Sequence, residues 1–358
     1  MSLDQRAVAV PDGSPAVMMR SNHDREAQVR SCAVIPAYNA ADSVCAVVAQ
    51  ALEFVSFVIV VDDCCPRACG DHVLRAFAGD ERVTVIKRSV NGGVGAAMKT
   101  GLTAALEAGA DVIIKLDADD QMDVTFVPVM LALFAQHSDV VLIKGNRFVN
   151  SSILSNMPRL RLLGNAALSL MAKFATGYWN LLDPTNGYIA FRADFLTKDD
   201  IERFSNSYFF EISVLCDFGL HQAQIAEIEM PARYGPHPSS LSIRRVLFEF
   251  PPKMLLAFVR RLTLQYFLFD FNLCTLFMVF AFLLISFGVG LAAVEYVQSL
   301  VSQIPRTTGT VMLAVLPLMI GLQLAVSALM YDVQSSRIIL REAGARSRSR
   351  RARILTHI

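Results

Sequence analysis

Two long segments without a charged residue lie near the C-terminal end of the chain. They cover residues 271–294 and 307–331 and contain 24 and 25 residues. At a rise of about 1.5 Å per residue, a helix of this length spans roughly 36 Å, enough to cross the ~30 Å hydrocarbon core of a bilayer. A buried helix of a soluble domain is the alternative. Two such segments in succession, in a chain with a mean hydropathy of +0.43, favour a pair of transmembrane helices.

Most basic residues near the two spans lie before the first span or after the second, and few lie between them. Five lie within residues 244–261, before the first span, and seven arginines lie within residues 337–353, after the second. The connector, residues 295–306, carries Arg306 as its single cation. The positive-inside rule therefore predicts a multi-pass protein of the inner (plasma) membrane with both termini in the cytoplasm. The net charge of +1 gives no indication of nucleic-acid binding.

The remainder of the chain divides by composition. Residues 1–30 are polar, lack the apolar core of a signal peptide and are predicted to form a flexible leader. Residues 31–235 are predicted to form a cytoplasmic α/β domain. Residues 236–269 mix basic and apolar side chains, which predicts amphipathic helices at the membrane interface, with cytosolic surface helices as the alternative. Residues 270–332 hold the two spans, and residues 333–358 form a basic cytoplasmic tail.

Short runs rich in valine and isoleucine alternate with helix-like segments in the predicted α/β domain. The expected strands are residues 32–36, 57–61, 83–86, 111–116 and 140–143. Continuous apolar strands separated by helices are typical of a mostly parallel sheet that is covered on both faces. Ligands of such sheets bind beyond the carboxyl ends of the strands, where acidic residues follow the second and fourth runs.

Asp117 and Asp119 follow the fourth predicted strand with one residue between them. Two carboxylates at this spacing can reach one Mg²⁺ or Mn²⁺ ion, which would neutralise a leaving diphosphate. Solvated loop carboxylates are the alternative. Asp62 and Asp63 end another strand of the same sheet, and clustered carboxylates repel unless a cation or hydrogen-bond donors lie between them. A metal ion and ribose hydroxyls would meet that requirement.

A glycine-rich segment, residues 91–101, follows the third predicted strand. Glycine lets a ligand approach the backbone, and a helix beginning near Val94 would present N–H groups to a phosphate. Tight packing of the helix on the sheet is an equally good interpretation. The odd number of cysteines predicts reduced cytosolic thiols. Cys64, Cys65 and Cys69 lack a second ligand pair at zinc-site spacing and are interpreted as small loop residues. Pro251-Pro252 is expected to interrupt the helix it lies in.

Four motifs occur in an order and spacing that resemble the inverting glycosyltransferases of family 2, which have the GT-A fold. They are residues 34–39, 60–63, 91–95 and 117–122, and further matches lie at residues 144–148, 158–161, 183–188 and 210–211. The resemblance is to the polyprenyl-phosphate type, which includes dolichyl-phosphate mannose synthase. It covers roughly residues 31–240, and the two spans match members that carry such anchors. The signature of processive synthases is missing, so polysaccharide polymerisation is not expected.

The resemblance implies an α/β, Rossmann-like GT-A domain that transfers a sugar from a UDP- or GDP-sugar onto a polyprenyl phosphate, such as undecaprenyl phosphate. It implies that Pro36, Tyr38 and Asp63 hold the nucleotide. The full set of expected donor contacts is Pro36, Tyr38, Asp62, Asp63, Asn91, Gly93, Lys99 and Asp117. The expected metal ligands for Mg²⁺ or Mn²⁺ are Asp117, Asp119 and Gln121.

On the acceptor side, the resemblance implies that Arg147 and Arg161 grip the lipid phosphate, because a guanidinium can bind two phosphate oxygens. Exposed partners of local acids are the alternative for both. Asp183 and Glu211 are candidates for positioning the acceptor or taking a proton, and sequence alone does not separate these roles. A glycosyltransferase acting on a lipid-linked saccharide and a non-catalytic membrane scaffold are the competing functions. Packing through the spans would permit a homo-oligomer.

Overall fold

A single mixed sheet organises the N-terminal part of the protein. The computed structural model describes residues 29–147, 159–230, 243–336 and 340–342. The strands are β1 (Ser31–Ala37), β2 (Phe57–Asp62), β3 (Val83–Lys87), β4 (Val112–Lys115), β5 (Val140–Asn146), β6 (Ile189–Arg192), β7 (Gln224–Glu229) and β8 (Leu340–Glu342). Their order is β3-β2-β1-β4-β6-β5-β7-β8, and β6 alone runs antiparallel to its neighbours.

Strands β1 to β5 coincide with the five apolar runs, so the predicted mostly parallel α/β fold is confirmed. The other three strands were not predicted. The strand β6 has only four residues, and three of the six residues of β7 are polar, which interrupts its apolar run.

Helices cover both faces of the sheet and continue into the C-terminal part. They are α1 (Val44–Ala51), α2 (Cys69–Ala76), α3 (Val94–Glu107), α4 (Val127–Gln136), α5 (Arg159–Thr176), α6 (Lys198–Arg203), α7 (Phe210–Leu220), α8 (Ile243–Leu262), α9 (Leu273–Ser302) and α10 (Thr308–Ser335). Alternate residues of β1 enter different cores. Ala33 and Ile35 pack towards α1, whereas Cys32 and Val34 pack towards α3. This alternation follows from the two-residue period of a strand.

Helix α8 contradicts one expectation, because it continues across Pro251-Pro252 and passes into a π-helical segment, Thr263–Phe269. Proline removes a backbone donor and normally breaks a helix. Here Phe250 and Met254, on either side of the prolines, are buried against α5 and α7. This packing holds the helix together despite the lost hydrogen bonds.

Helices α9 and α10 form an antiparallel pair, and each is long and apolar enough to cross a membrane. They contain 30 and 28 residues, and only 11% and 17% of their most apolar windows are buried within the protein. Glycines allow the two backbones to approach closely. A Cβ at Gly321 would lie 2.8 Å from the Ile285 side chain, and one at Gly288 would lie 2.8 Å from the Ala314 carbonyl oxygen.

Candidate active site

The carboxyl edge of the sheet gathers polar residues from four strands. Asp62 ends β2, Asp117 follows β4, and Arg147 follows β5. Because β6 runs in the opposite direction, its beginning lies at the same edge, and residues 177–188, which precede it, come there too. We call this segment the connecting loop. The antiparallel strand therefore explains how Asp183 and Asp117 reach one site.

A buried lysine links two of the predicted acidic residues. Lys115 Nζ lies 2.5 Å from Asp117 Oδ1 and 3.4 Å from Glu211 Oε1, and it donates to the Gly187 carbonyl oxygen at 3.1 Å. Burial acts to lower the pKa of Lys115, but the charges of Asp117 and Glu211 outweigh it and hold that pKa above its ordinary value. Glu211 is thus placed as a counter-charge that fixes Lys115.

Asp119 is half-buried and lies close to the charge of Asp117. Burial, and then the neighbouring charge of Asp117, raise its pKa. Its Oδ1 accepts a hydrogen bond from the Gln121 backbone N–H at 3.1 Å, and the next residue, Asp120, has a φ of +60°. A cation between Asp117 and Asp119 would relieve this repulsion.

The carboxylates at this edge could hold a metal ion whose coordination is completed by substrate. Among the described residues, no group of three or more His, Cys, Asp or Glu side chains is arranged to hold a metal ion. Mg²⁺ commonly takes one or two protein carboxylates and completes its coordination with water and substrate phosphates. Asp117 and Asp119 supply a donor set of that kind.

Asp183 binds the Arg147 guanidinium and orients it. The Arg147 guanidinium donates through Nε to Oδ2 at 2.8 Å and through Nη2 to Oδ1 at 3.1 Å. The Asp183 side chain is fully buried, whereas that of Arg147 is 41% exposed. The Leu182 and Asp183 backbone N–H groups in turn donate to Glu227 Oε1 at 2.9 and 3.2 Å. This arrangement presents a fixed guanidinium to the solvent side of the site.

A second buried lysine lies on β5 and binds the connecting loop. Lys144 is fully buried, and its Nζ donates to the Asn186 carbonyl oxygen at 2.7 Å. Burial lowers the pKa of Lys144 to about 8, although the charges of Glu211 and Asp183 oppose this shift. The roles of Lys115 and Lys144 were not predicted from the sequence. The available signal was a lysine inside an otherwise apolar strand.

The other acidic pair, at the end of β2, shapes loops. Asp62 accepts from the backbone N–H groups of Cys65 and Gly70, each at 2.7 Å, and so fixes the start of α2. Asp63 accepts from the N–H groups of Gly92 and Gly93 at 3.1 and 2.8 Å. The Arg88 guanidinium also donates to Asp63. These bonds tie the glycine-rich segment to β2, and α3 begins at Val94 as predicted.

The remaining residues that were predicted to contact the donor differ in their burial and in their partners. Pro36 is half-buried at the end of β1, Tyr38 is 48% exposed, and Asn91 accepts from the Gly93 N–H at 3.1 Å. Lys99 instead pairs with Glu202 Oε2 at 3.0 Å. It lines a surface cavity of about 540 Å³ whose walls contain neither of the carboxylates proposed to bind metal. The side chain of Arg161 lies outside the described residues, although its backbone belongs to α5.

The cysteine cluster forms a compact loop beside this edge. The Cys65 and Cys69 sulfurs are 2.9 Å apart, and all seven cysteines are free. Asn39 donates its backbone N–H to the Cys65 sulfur at 3.2 Å, which links the loop to the end of β1.

Comparisons with known proteins identify the family of the chain. Residues 32–198 match the family model described as glycosyl transferase family 2. The chain is 33% identical over 189 residues to the undecaprenyl-phosphate mannosyltransferase of Micrococcus luteus, covering 52% of this chain and 76% of that protein. It is 28% identical over 191 residues to the polyprenol monophosphomannose synthase of Mycolicibacterium smegmatis, covering 52% and 70%.

A solved structure is also similar. It is the glucosyl-3-phosphoglycerate synthase of Mycobacterium tuberculosis in complex with Mn²⁺, uridine diphosphate and glucosyl-3-phosphoglycerate. The TM-score is 0.49 and the identity 18%, over 71% of this chain and 86% of that one.

Proposed function

The chain belongs to glycosyl transferase family 2 and is a glycosyltransferase, and we propose that it moves a sugar from a nucleotide diphosphate sugar onto a polyprenyl phosphate at a membrane surface. The two relatives described above are named for undecaprenyl phosphate and for polyprenol. Family membership, together with the carboxylates at the sheet edge, sets aside a non-catalytic scaffold.

The observation that carries the proposal is the fixed guanidinium of Arg147 beside the acidic edge of the sheet. A phosphate acceptor needs a cation with directed donors, and arginine provides them. Lys144 and Lys115 donate to the adjacent carbonyl oxygens of Asn186 and Gly187, so the connecting loop joins the acidic residues to the Asp183–Arg147 pair. We assign Arg147 to the acceptor phosphate and Asp183 to positioning Arg147.

We assign the acidic residues at the carboxyl edge of the sheet to the nucleotide-sugar donor. Mg²⁺ or Mn²⁺ bound by Asp117 and Asp119, with Gln121 as the candidate third ligand, would neutralise the departing nucleotide diphosphate. Lys115, which also pairs with Glu211, holds Asp117 in place, and Asp63 ties down the glycine-rich segment that would meet the nucleotide. The proposed donor contacts of Pro36 and Tyr38 lie at the end of β1.

The proposed reaction is a single in-line displacement. An oxygen of the lipid phosphate attacks the anomeric carbon, the bond from that carbon to the diphosphate oxygen breaks, and the configuration inverts. A monoester phosphate has its second pKa at about 6 and is mostly ionised near neutral pH. A general base is therefore not required, which agrees with Asp183 and Glu211 both being held by cations.

The membrane placement is proposed on three features. The exposed apolar side chains of α8 and the π-helical segment include Phe248, Leu256 and Leu268, which are 76%, 70% and 69% exposed. These side chains suit the interfacial region of a bilayer. The strand β8 follows α10 and pairs with β7, which supports both membrane crossings returning the chain to one side. The arginine distribution supports the cytoplasm as that side.

The test uses the full chain reconstituted in vesicles that contain undecaprenyl phosphate, with a panel of GDP-mannose, UDP-glucose and UDP-N-acetylglucosamine. Asp119→Asn should lower metal-dependent transfer by about 100-fold or more, because a metal contributes several kcal/mol and 1.36 kcal/mol is a factor of ten. The neighbouring exposed residue supplies the matched control, Asp120→Asn, since asparagine tolerates its positive φ. Full transfer by Asp119→Asn would refute the metal assignment. Transfer only to a lipid-linked saccharide would refute the phosphate acceptor.

A further inference from the structure

A buried polar cluster joins the second membrane helix to the catalytic domain. The Arg261 guanidinium donates from Nη1 and Nη2 to Asp332 Oδ1 and Oδ2 at 2.7 and 2.9 Å. Asp332 also accepts from the Tyr266 hydroxyl at 2.6 Å and from Trp179 Nε1 at 2.9 Å. Arg261 is 1% and Asp332 5% exposed. We call these four residues the junction cluster.

The members of the junction cluster come from four separate segments. Arg261 lies at the end of α8, Tyr266 in the π-helical segment, Asp332 in the last turn of α10 and Trp179 in the connecting loop. A further pair of bonds reinforces the contact with that loop. Ser336 Oγ donates to the Gly177 carbonyl oxygen at 3.0 Å and accepts from the Trp179 backbone N–H at 3.2 Å.

The same connecting loop carries the acceptor side of the active site. Four residues beyond Trp179, Asp183 holds Arg147. Further along, the carbonyl oxygens of Asn186 and Gly187 accept from the two buried lysines. An extended chain rises at most about 3.6 Å per residue, so the Cα atoms of Trp179 and Asp183 lie within roughly 14 Å of each other. One short covalent path therefore connects the membrane helix with the predicted phosphate-binding arginine.

The chemistry of the junction cluster suits the positioning of the joined segments better than it suits stabilisation of the fold. Burying two charges is expensive, and apolar side chains of similar volume often stabilise a fold as well as or better than an ion pair. A bidentate guanidinium–carboxylate pair adds what apolar packing lacks, which is one fixed distance and one orientation. The bond from Trp179 to the same carboxylate extends this geometry to the connecting loop.

We propose that the junction cluster sets the position of Arg147 and Asp183 relative to the bilayer, so that a lipid phosphate held at the membrane surface meets the donor sugar. This inference rests on the proposed function. A polyprenyl acceptor cannot rise far from the membrane, since each CH₂ leaving it costs about 0.8 kcal/mol. The enzyme must therefore fix the depth of its own acceptor site. The positioning residues are Arg261, Asp332 and Trp179.

The kinetic test compares the full chain with Asp332→Asn in vesicles containing undecaprenyl phosphate. We expect kcat/KM for this acceptor to fall by about 10- to 100-fold, because a displacement of about 1 Å has effects of this size. Metal-dependent binding of the nucleotide donor should stay within about twofold. A short-chain prenyl phosphate in detergent, which is not confined to a bilayer, should be used almost as well as by the unmodified protein.

The matched control is Glu295→Gln. It breaks the ion pair of Glu295 Oε2 with Arg306 Nε, 3.0 Å apart, at the other end of the membrane helices. The junction proposal predicts no change in acceptor kinetics for this variant. Trp179→Phe is the second variant, because it removes one donor to Asp332 while both charges keep their partner. Trp179→Phe should show the same acceptor defect in weaker form. It therefore tests the proposal even where Asp332→Asn does not fold.

A measurement without any acceptor separates this inference from the proposed function. Hydrogen exchange at the backbone N–H groups of Leu182 and Asp183 should accelerate in Asp332→Asn and stay unchanged in Glu295→Gln. Unchanged exchange in Asp332→Asn, or equal losses of donor binding and acceptor transfer, would overturn the junction proposal. Absence of transfer to any polyprenyl phosphate by the unmodified protein, with accelerated exchange in the variant, would instead overturn the proposed function.

Discussion

Replacing Asp183 with Asn distinguishes a positioning carboxylate from a catalytic base. The substitution keeps the side-chain volume but removes the charge that binds both Nε and Nη2 of Arg147. If Asp183 positions Arg147, the variant should have a raised KM for the lipid phosphate, by about tenfold, because one lost charge-assisted bond is worth about 1.5 kcal/mol or more. If Asp183 is a base, kcat should fall while KM is kept.

The same variant should also lose stability. Removing one partner of a fully buried ion pair costs about 3–5 kcal/mol. The Arg147 side chain is 41% exposed, so water can hydrate the released guanidinium, and we expect a smaller loss of about 2–3 kcal/mol. For a domain of this size the loss corresponds to a decrease in Tm of roughly 4–12 °C.

Two assays on the reconstituted protein check these values. Transfer kinetics with varied undecaprenyl phosphate give KM and kcat, and a thermal unfolding curve gives Tm. Asp199→Asn supplies the control, because that carboxylate is exposed on the first turn of α6. An Asp183→Asn protein with lower Tm but unchanged acceptor KM would refute the assignment of Arg147 to the acceptor phosphate.

Two further predictions concern the buried lysines. A Cβ at Gly187 would lie 2.9 Å from Lys115 Nζ and 3.2 Å from Asp117 Oδ2, so Gly187→Ala should weaken metal-dependent donor binding about tenfold in calorimetry. Gly290→Ala, which meets no atom within 4 Å, should leave it unchanged. The pKa of Lys144 falls from its ordinary 10.5 to about 8 on folding, so the unfolded chain binds more protons between these values. The free energy of unfolding in detergent should therefore rise with pH across that interval, and urea titrations of Lys144→Met should lack the rise.

The two long apolar helices and the first five strands could be predicted from local sequence. A charge-free segment long enough to cross a bilayer, or a Val/Ile run between helical segments, depends on backbone geometry and on the transfer of apolar groups from water. Both properties act over a few neighbouring residues. The helix starting at Val94 was predictable for the same reason. The strand β6 was not, because its four residues gain their conformation from two flanking strands.

The sequence also indicated the residue types of the site but not their partners. Asp117 and Asp119 could be placed at a strand end from the pattern alone. That Lys115 lies between Asp117 and Glu211 could not be predicted, because the beginning of α7 reaches this edge only through tertiary packing. The assignment of Asp183 to Arg147 depended likewise on the antiparallel direction of β6.

The two long apolar segments near the C-terminal end show the same division. Their length and lack of charge were fixed by composition, since each residue contributes its own transfer free energy independently of the rest of the fold. Their attachment to the catalytic domain through Asp332 and Arg261 was decided by the tertiary structure. A buried charge is stable only where a partner of opposite sign and directed donors surround it, and that environment is assembled from distant segments of the chain.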